Sequence, residues 1–172
     1  LYLRSVRDVL ARVAELGLPM GWIPGNHDLP ELPLEGNLDH TVAEVAGLRV
    51  AGIGGAGPAR FGFCYEWDEA EIRSRDVPAC DVLLCHAPPA DTALDETAFG
   101  GRHAGSAAIR ERAEAHDGFL VCGHIHEAAG SVQLGDCLCL NAGALGHPFG
   151  HAQVGWLVRD DEGDRVGHED LD

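Results

Sequence analysis

The 172 residues suffice for one well-packed core, and 45% hydrophobic with 23% charged residues is a globular composition with no apolar run of membrane-spanning length. The formal net charge of -16 comes from 28 acidic residues against 12 basic ones, every one an arginine, and such a surface disfavours nucleic acid polymers and anionic membranes as partners. A small phosphate ester stays compatible, because bound divalent cations reverse the local field.

The periodicity of Val6, Val9, Leu10, Val13 and Leu16 predicts an amphipathic helix over residues 2–16, ended by Gly17 and Pro19. A short strand is expected at 20–23, turned outward by Pro24-Gly25 into Asn26-His27-Asp28. Strands at 42–46 and 48–53 flank a tight turn at Gly47, and the glycine-rich 52–57 reads as a tight passage near the mouth of a site. It lacks both dinucleotide-loop spacing and a P-loop Lys-Ser/Thr. A polar helix follows at 66–75, and then a buried strand at 82–85 that delivers His86.

After a long loop over 87–102, Ser106 is placed to cap a helix over 107–116. A strand at 119–122 opens into Gly123-His124-Ile125-His126, and a hairpin at 131–134 and 137–140 turns at Gly135-Asp136. A last strand is expected at 154–158, with 159–172 read as an acidic turn and tail. Helices alternating with buried strands, and hairpins late, predict a single α/β domain over 1–172.

The opening Leu1-Tyr2-Leu3-Arg4 lacks the pattern of a secretory leader. Cys64, Cys80, Cys85, Cys122, Cys137 and Cys139 are expected to be reduced core thiols of a cytoplasmic protein. Disulfides, or a soft-metal site at Cys137 and Cys139, are the alternatives.

Three apolar runs end in a donor side chain: Asn26, His86, and the pair His124 and His126. Parallel sheets collect ligands at the carboxyl ends of their strands, and His with Asn suits Mn, Fe, Zn or Ni. Two adjacent metal ions would activate a water and neutralise phosphoryl oxygens. His27 is placed to donate a proton to a leaving oxygen, and Asp28 to fix its tautomer. Arg102 and His103, ahead of a helix start, are candidates for contacting phosphate; His147 and His151 are weaker candidates for approaching the site. His40, His116 and His168 read as surface or packing residues.

In their order and spacing, Gly25-Asn26-His27-Asp28, the lone His86 and Gly123-His124-Ile125-His126 resemble the calcineurin-like metallophosphoesterase superfamily. His86-Ala87-Pro88-Pro89, Leu94-Asp95, Gly101-Arg102-His103 and Asn141-Ala142-Gly143 are similar to its small prokaryotic branch, which is related to metallophosphoesterase-domain proteins of animals. The resemblance implies an α/β/β/α sandwich of two mixed sheets flanked by helices, and a hydrolase with two divalent metal ions. Asn26, His86 and His124 would hold one ion, His126 would reach the other, and His27 would serve the departing group.

The superfamily's opening strands, with Asp-x-His and Gly-Asp, have no match here, since the first residues already read as a helix. Two expectations therefore stand side by side. Either an N-terminal segment bearing those ligands belongs ahead of Leu1, or the chain is a catalytically impaired relative. The latter would act as a binding or scaffold module or as a mononuclear metal-binding protein. A homo-oligomer is left open.

Overall fold

The structure, a computed structural model, describes residues 2–98, 100–145 and 152–171. In chain order its elements are α1 (Tyr2–Ala14), β1 (Val42–Val45), β2 (Leu48–Ile53), α2 (Glu69–Ser74), β3 (Val82–Cys85) and α3 (Ala107–Glu114). There follow β4 (Gly118–Cys122), β5 (Gly130–Leu134), β6 (Cys137–Asn141), β7 (Gln153–Asp160) and β8 (Gly163–Asp170).

Six strands form a mixed sheet in the order β1-β2-β3-β4-β6-β5. The central four run parallel, and β1 and β5 close the edges antiparallel. Strands covered on both faces need continuous apolar runs, which Val82-Leu83-Leu84-Cys85 and Phe119-Leu120-Val121-Cys122 supply. On one face Ile53, Leu83, Cys85, Leu120 and Cys122 form a core with Ile72 of α2 and Ile109 and Ala113 of α3. The two helices are tied by Glu69, whose carboxylate accepts from the Ser106 hydroxyl at 2.9 Å and from the Ala108 amide at 2.7 Å. Ser106 in turn accepts from the Ile109 N–H at 3.2 Å, the expected helix cap.

On the other face lies the antiparallel ribbon β7-β8. At Gly155 a Cβ would stand 2.9 Å from Leu140 and 3.1 Å from Ala142, so glycine allows the ribbon to sit close. His168 donates from Nε2 to the Asn141 carbonyl at 2.6 Å, and the Arg159 guanidinium lies 5.0 Å from the Phe119 ring centroid.

Several expectations shift. The second sheet is, among the described residues, this two-stranded antiparallel ribbon and not a mixed sheet. Residues 159–170 are not a tail: Asp160 pairs with Gly163 across a tight turn, and β8 returns along the whole of β7. Residues 20–23 make only an isolated bridge, Trp22 with Asn37, and Gly21 leaves room for Leu38 and Val45 to pack where a Cβ would stand. The helix expected from Glu66 begins at Glu69, and Glu66 belongs to the preceding loop. His147 and His151 lie outside the described residues. All six cysteines are free, but Cys64 is exposed and Cys80 half-buried, so only Cys85, Cys122, Cys137 and Cys139 are core thiols; burial raises the thiol pKa of Cys85 and Cys122, leaving them protonated and inert. No helix among the described residues is long and apolar enough to cross a membrane.

Candidate active site

The parallel strands β2, β3, β4 and β6 all point their carboxyl ends at one edge of the sheet, and the expected donors gather there. His86 follows β3 directly, its amide donating to the Ile53 carbonyl at the end of β2 at 3.0 Å. Gly123 follows β4, and its N–H donates to the His86 carbonyl at 3.2 Å, bringing the two loops side by side. The His86 and His124 rings meet edge to face, with centroids 5.0 Å apart.

Asn26 arrives from a separate turn. The Pro24 carbonyl accepts from Gly55 N–H, and the Asn26 carbonyl accepts from Tyr65 N–H, both at 3.0 Å. The turn itself is closed by the Asp28 carboxylate, which accepts from the Gly25 N–H at 2.6 Å. Asp28 therefore shapes the Asn26 turn. Gly25 is required for contact, because a Cβ there would stand 2.9 Å from His86 Cε1 and 3.1 Å from Nε2. Asn26, only 4% exposed, then faces His86, with Oδ1 3.1 Å from Nε2.

Burial, followed by the neighbouring His124, His126 and His27, pushes the His86 pKa down to about 3. Burial, then His126 and His27, also lowers that of His124. Both imidazoles are neutral at physiological pH, the form that ligates metal. His124 has a φ of +67°, a left-handed conformation that is uncommon outside glycine and recurs at functional sites.

Two cavities flank this cluster and share Asn26, Thr97 and His124. One, of about 300 Å³, is also lined by Arg60, Phe61, Arg102 and His103. The other, of about 430 Å³, is also lined by His27, Asp28, Phe63, His86 and His126. The first sets Arg60, Arg102 and His103 against the single carboxylate of Glu66, in an otherwise acidic molecule. Among the described residues neither Arg60 nor Arg102 stands in an ion pair, a state they share with Arg4, Arg7, Arg12, Arg49 and Arg112 outside the site, whereas Arg73, Arg75, Arg110, Arg159 and Arg165 are paired.

His103 is oriented from below. Its Nδ1 lies 2.8 Å from Asp95, a carboxylate with no exposed surface that also accepts from the amides of Asp91, Thr92 and Gly105. The hydrogen bond to Asp95, and then its charge, raise the His103 pKa.

Whether these residues fit a metal is answered by the donor set. Asn26 Oδ1 and His86 Nε2 face one another at 3.1 Å, a separation at which one borderline divalent cation can take both as ligands, with His124 beside them. They fit one flank of such an ion. Among the described residues, however, no group of three or more His, Cys, Asp or Glu converges on a single point, so no carboxylate completes the set.

The structure thus brings together Asn26, His27, Asp28, His86, His124 and His126, with Arg102 and His103 across the adjoining cavity. Sequence reasoning passed over Arg60, Phe61 and Phe63, and placed Asp95 and Asn141 in motifs of the resemblance without giving either a role. Arg60-Phe61-Gly62-Phe63 carried one usable signal: two aromatic residues bracketing a glycine in a segment with no strand or helix period.

The family model described as the calcineurin-like phosphoesterase superfamily domain matches residues 5–162, and the chain belongs to that superfamily. The "Uncharacterized protein MJ1162" of Methanocaldococcus jannaschii is 27% identical over 170 residues, covering 90% of this chain and 78% of that protein. A protein of known crystal structure superposes with a TM-score of 0.75 at 17% identity, over 99% of this chain and 73% of its own, a likeness of fold.

Proposed function

We propose that the protein hydrolyses a small phosphate ester, a diester or monoester, in a metal-dependent reaction. The observation that carries this reading is the meeting of Asn26, His86 and His124 at the strand ends, beside a cavity lined by Arg60, Arg102 and His103. Divalent ions, when bound, supply Lewis acidity toward the ester and the attacking water. Asn26, His86 and His124 hold one of them, and His126 serves a second. Arg60, Arg102 and His103 bind the phosphoryl oxygens, with the guanidinium forks matched to that geometry. His27, exposed at the rim of the second cavity, donates a proton to the leaving oxygen, and Asp28 holds the turn that presents it.

The test is turnover of bis(p-nitrophenyl) phosphate with added Mn²⁺. His86→Ala should abolish it, and His27→Ala should slow most the esters with poor leaving groups. No turnover by the wild-type protein sinks the hydrolase reading.

A second reading, a mononuclear metal-binding protein without turnover, is favoured by one observation: the converging donors Asn26, His86 and His124 are neutral and lack a carboxylate among the described residues. It predicts one Mn²⁺ per chain by titration calorimetry, lost in His86→Ala. Two ions per chain would exclude it.

A further inference from the structure

The loop from Arg60 to Phe63 presents two aromatic rings to solvent at the rim of the site. Phe61 is 76% exposed and Phe63 38%. Phenylalanine is among the residue types most often buried. Here the backbone holds them out: the Glu66 carboxylate accepts from the amides of Phe61, Gly62 and Phe63, the shortest from Gly62 at 2.7 Å. Gly62 at φ +73° supplies the left-handed step that the turn requires.

The rings are arranged as a strip. Phe61 and Phe63 have centroids 5.8 Å apart, and Phe63 lies 4.3 Å from the His27 ring. Phe61 lines the cavity of Arg60, Arg102 and His103, and Phe63 lines that of His27, His86 and His126. The strip thus runs beside both cavities, within reach of whatever is attached to a bound phosphate.

We infer that Phe61 and Phe63 form a stacking platform for a planar heteroaromatic group, so that the phosphoester taken by this site is nucleoside-like and not a phosphosugar or alkyl phosphate. Every nucleobase has a π-face that stacks on an aromatic side chain without base-specific hydrogen bonds. The platform is therefore selective for a flat group and tolerant of which base it is. It rests on the reading that the neighbouring arginines and His103 receive the phosphate.

The experiment is calorimetric binding of AMP and of ribose 5-phosphate to the full chain with Mn²⁺, in wild type, Phe61→Ala, Phe61→Trp and Phe63→Leu. AMP should bind about tenfold more tightly than ribose 5-phosphate. Phe61→Ala should remove most of that gap while leaving ribose 5-phosphate within about twofold, Phe63→Leu should narrow it, and Phe61→Trp should restore it. Equal affinities in the wild type, absence of binding by either ligand, or a gap that survives Phe61→Ala overturns the platform. So does an Ala variant that changes only the oligomeric state.

Hydrolysis is read separately, with bis(p-nitrophenyl) phosphate. An AMP preference without turnover removes the hydrolase reading and keeps the platform. Turnover without the preference does the reverse.

Discussion

Asn141 holds Ile125, the residue between the two site histidines: its Nδ2 donates to the Ile125 carbonyl at 2.9 Å. The same amide nitrogen donates to the Leu94 carbonyl at 3.0 Å, and Oδ1 accepts from Gly143 N–H. Leu94 precedes the Asp95 that orients His103, so one buried side chain fixes the spacing between the loop of His124 and His126 and the loop of His103. Asn141→Ala strands two buried carbonyls and should cost about 2–4 kcal/mol. Denaturant unfolding reads that loss, and Mn²⁺ titration of the folded protein should show weaker uptake although no donor has been removed. Unchanged unfolding would show that water replaces the amide and that the loops are spaced by something else.

Gly25 gives a prediction of opposite kind, in which adding a single methyl group damages the site. A Cβ there stands within 3.1 Å of two His86 ring atoms, closer than ordinary packing permits. The imidazole must rotate away from Asn26, because the alternative is to displace the turn held by Asp28. Gly25→Ala should therefore lower Mn²⁺ affinity at least about tenfold, the scale of losing a ligand-orienting contact. A crystal structure of the variant should show His86 Nε2 no longer within hydrogen-bond range of Asn26. An unmoved His86 would refute the packing argument.

His103 sets a pH dependence with a defined sign. Its hydrogen bond to Asp95, with the charges of Asp95, Asp91 and Glu96, raises its folded pKa above the ordinary value of about 6.5. The stabilisation is then fully present below about pH 6.5 and is lost as pH rises through the folded pKa. Phosphate binding should weaken across the same window, because the imidazolium facing the cavity loses its charge. An NMR titration of the His103 imidazole reads the pKa directly, and Asp95→Asn should return it toward 6.5. A wild-type His103 that titrates at the free value would remove both effects.

The strand-end donors were legible because they follow short, uninterrupted apolar runs. Residues 82–85 and 119–122 are buried on both faces, so their hydrophobicity marks them, and His86 and Gly123-His124 fall where the chain must leave the sheet. β8 was not legible. Gly163–Asp170 carries Val166 as its one aliphatic side chain, and its strand state comes from ladder pairing with β7 at the surface. The roles of Asp95 and Asn141 were hidden for another reason. Nearly all their partners are backbone amides and carbonyls brought close only by folding, and backbone groups leave no trace in composition. Arg60 was hidden because its interest lies in lacking an acidic partner while lining a cavity, which only a structure reveals.

The backbone at His124 separates function from stability. A non-glycine residue in the left-handed region costs about 1–2 kcal/mol, and His124 at φ +67° sits there at the point where its ring meets His86. Replacing it with glycine removes that strain but also removes the contacts of a mostly buried ring. The two effects oppose one another, so His124→Gly should leave unfolding free energy within about 1 kcal/mol of wild type. Metal affinity has no such compensation, because one of the three converging donors is gone. It should fall at least about tenfold, with bis(p-nitrophenyl) phosphate turnover falling alongside. His124→Ala keeps the strain and loses the ring, and should be the less stable of the two variants by about 1 kcal/mol. Chemical unfolding of both, with Mn²⁺ titration of each, checks the separation. Equal stability of the two would mean that the left-handed turn carries no strain, and intact metal uptake in either would remove His124 from the donor set.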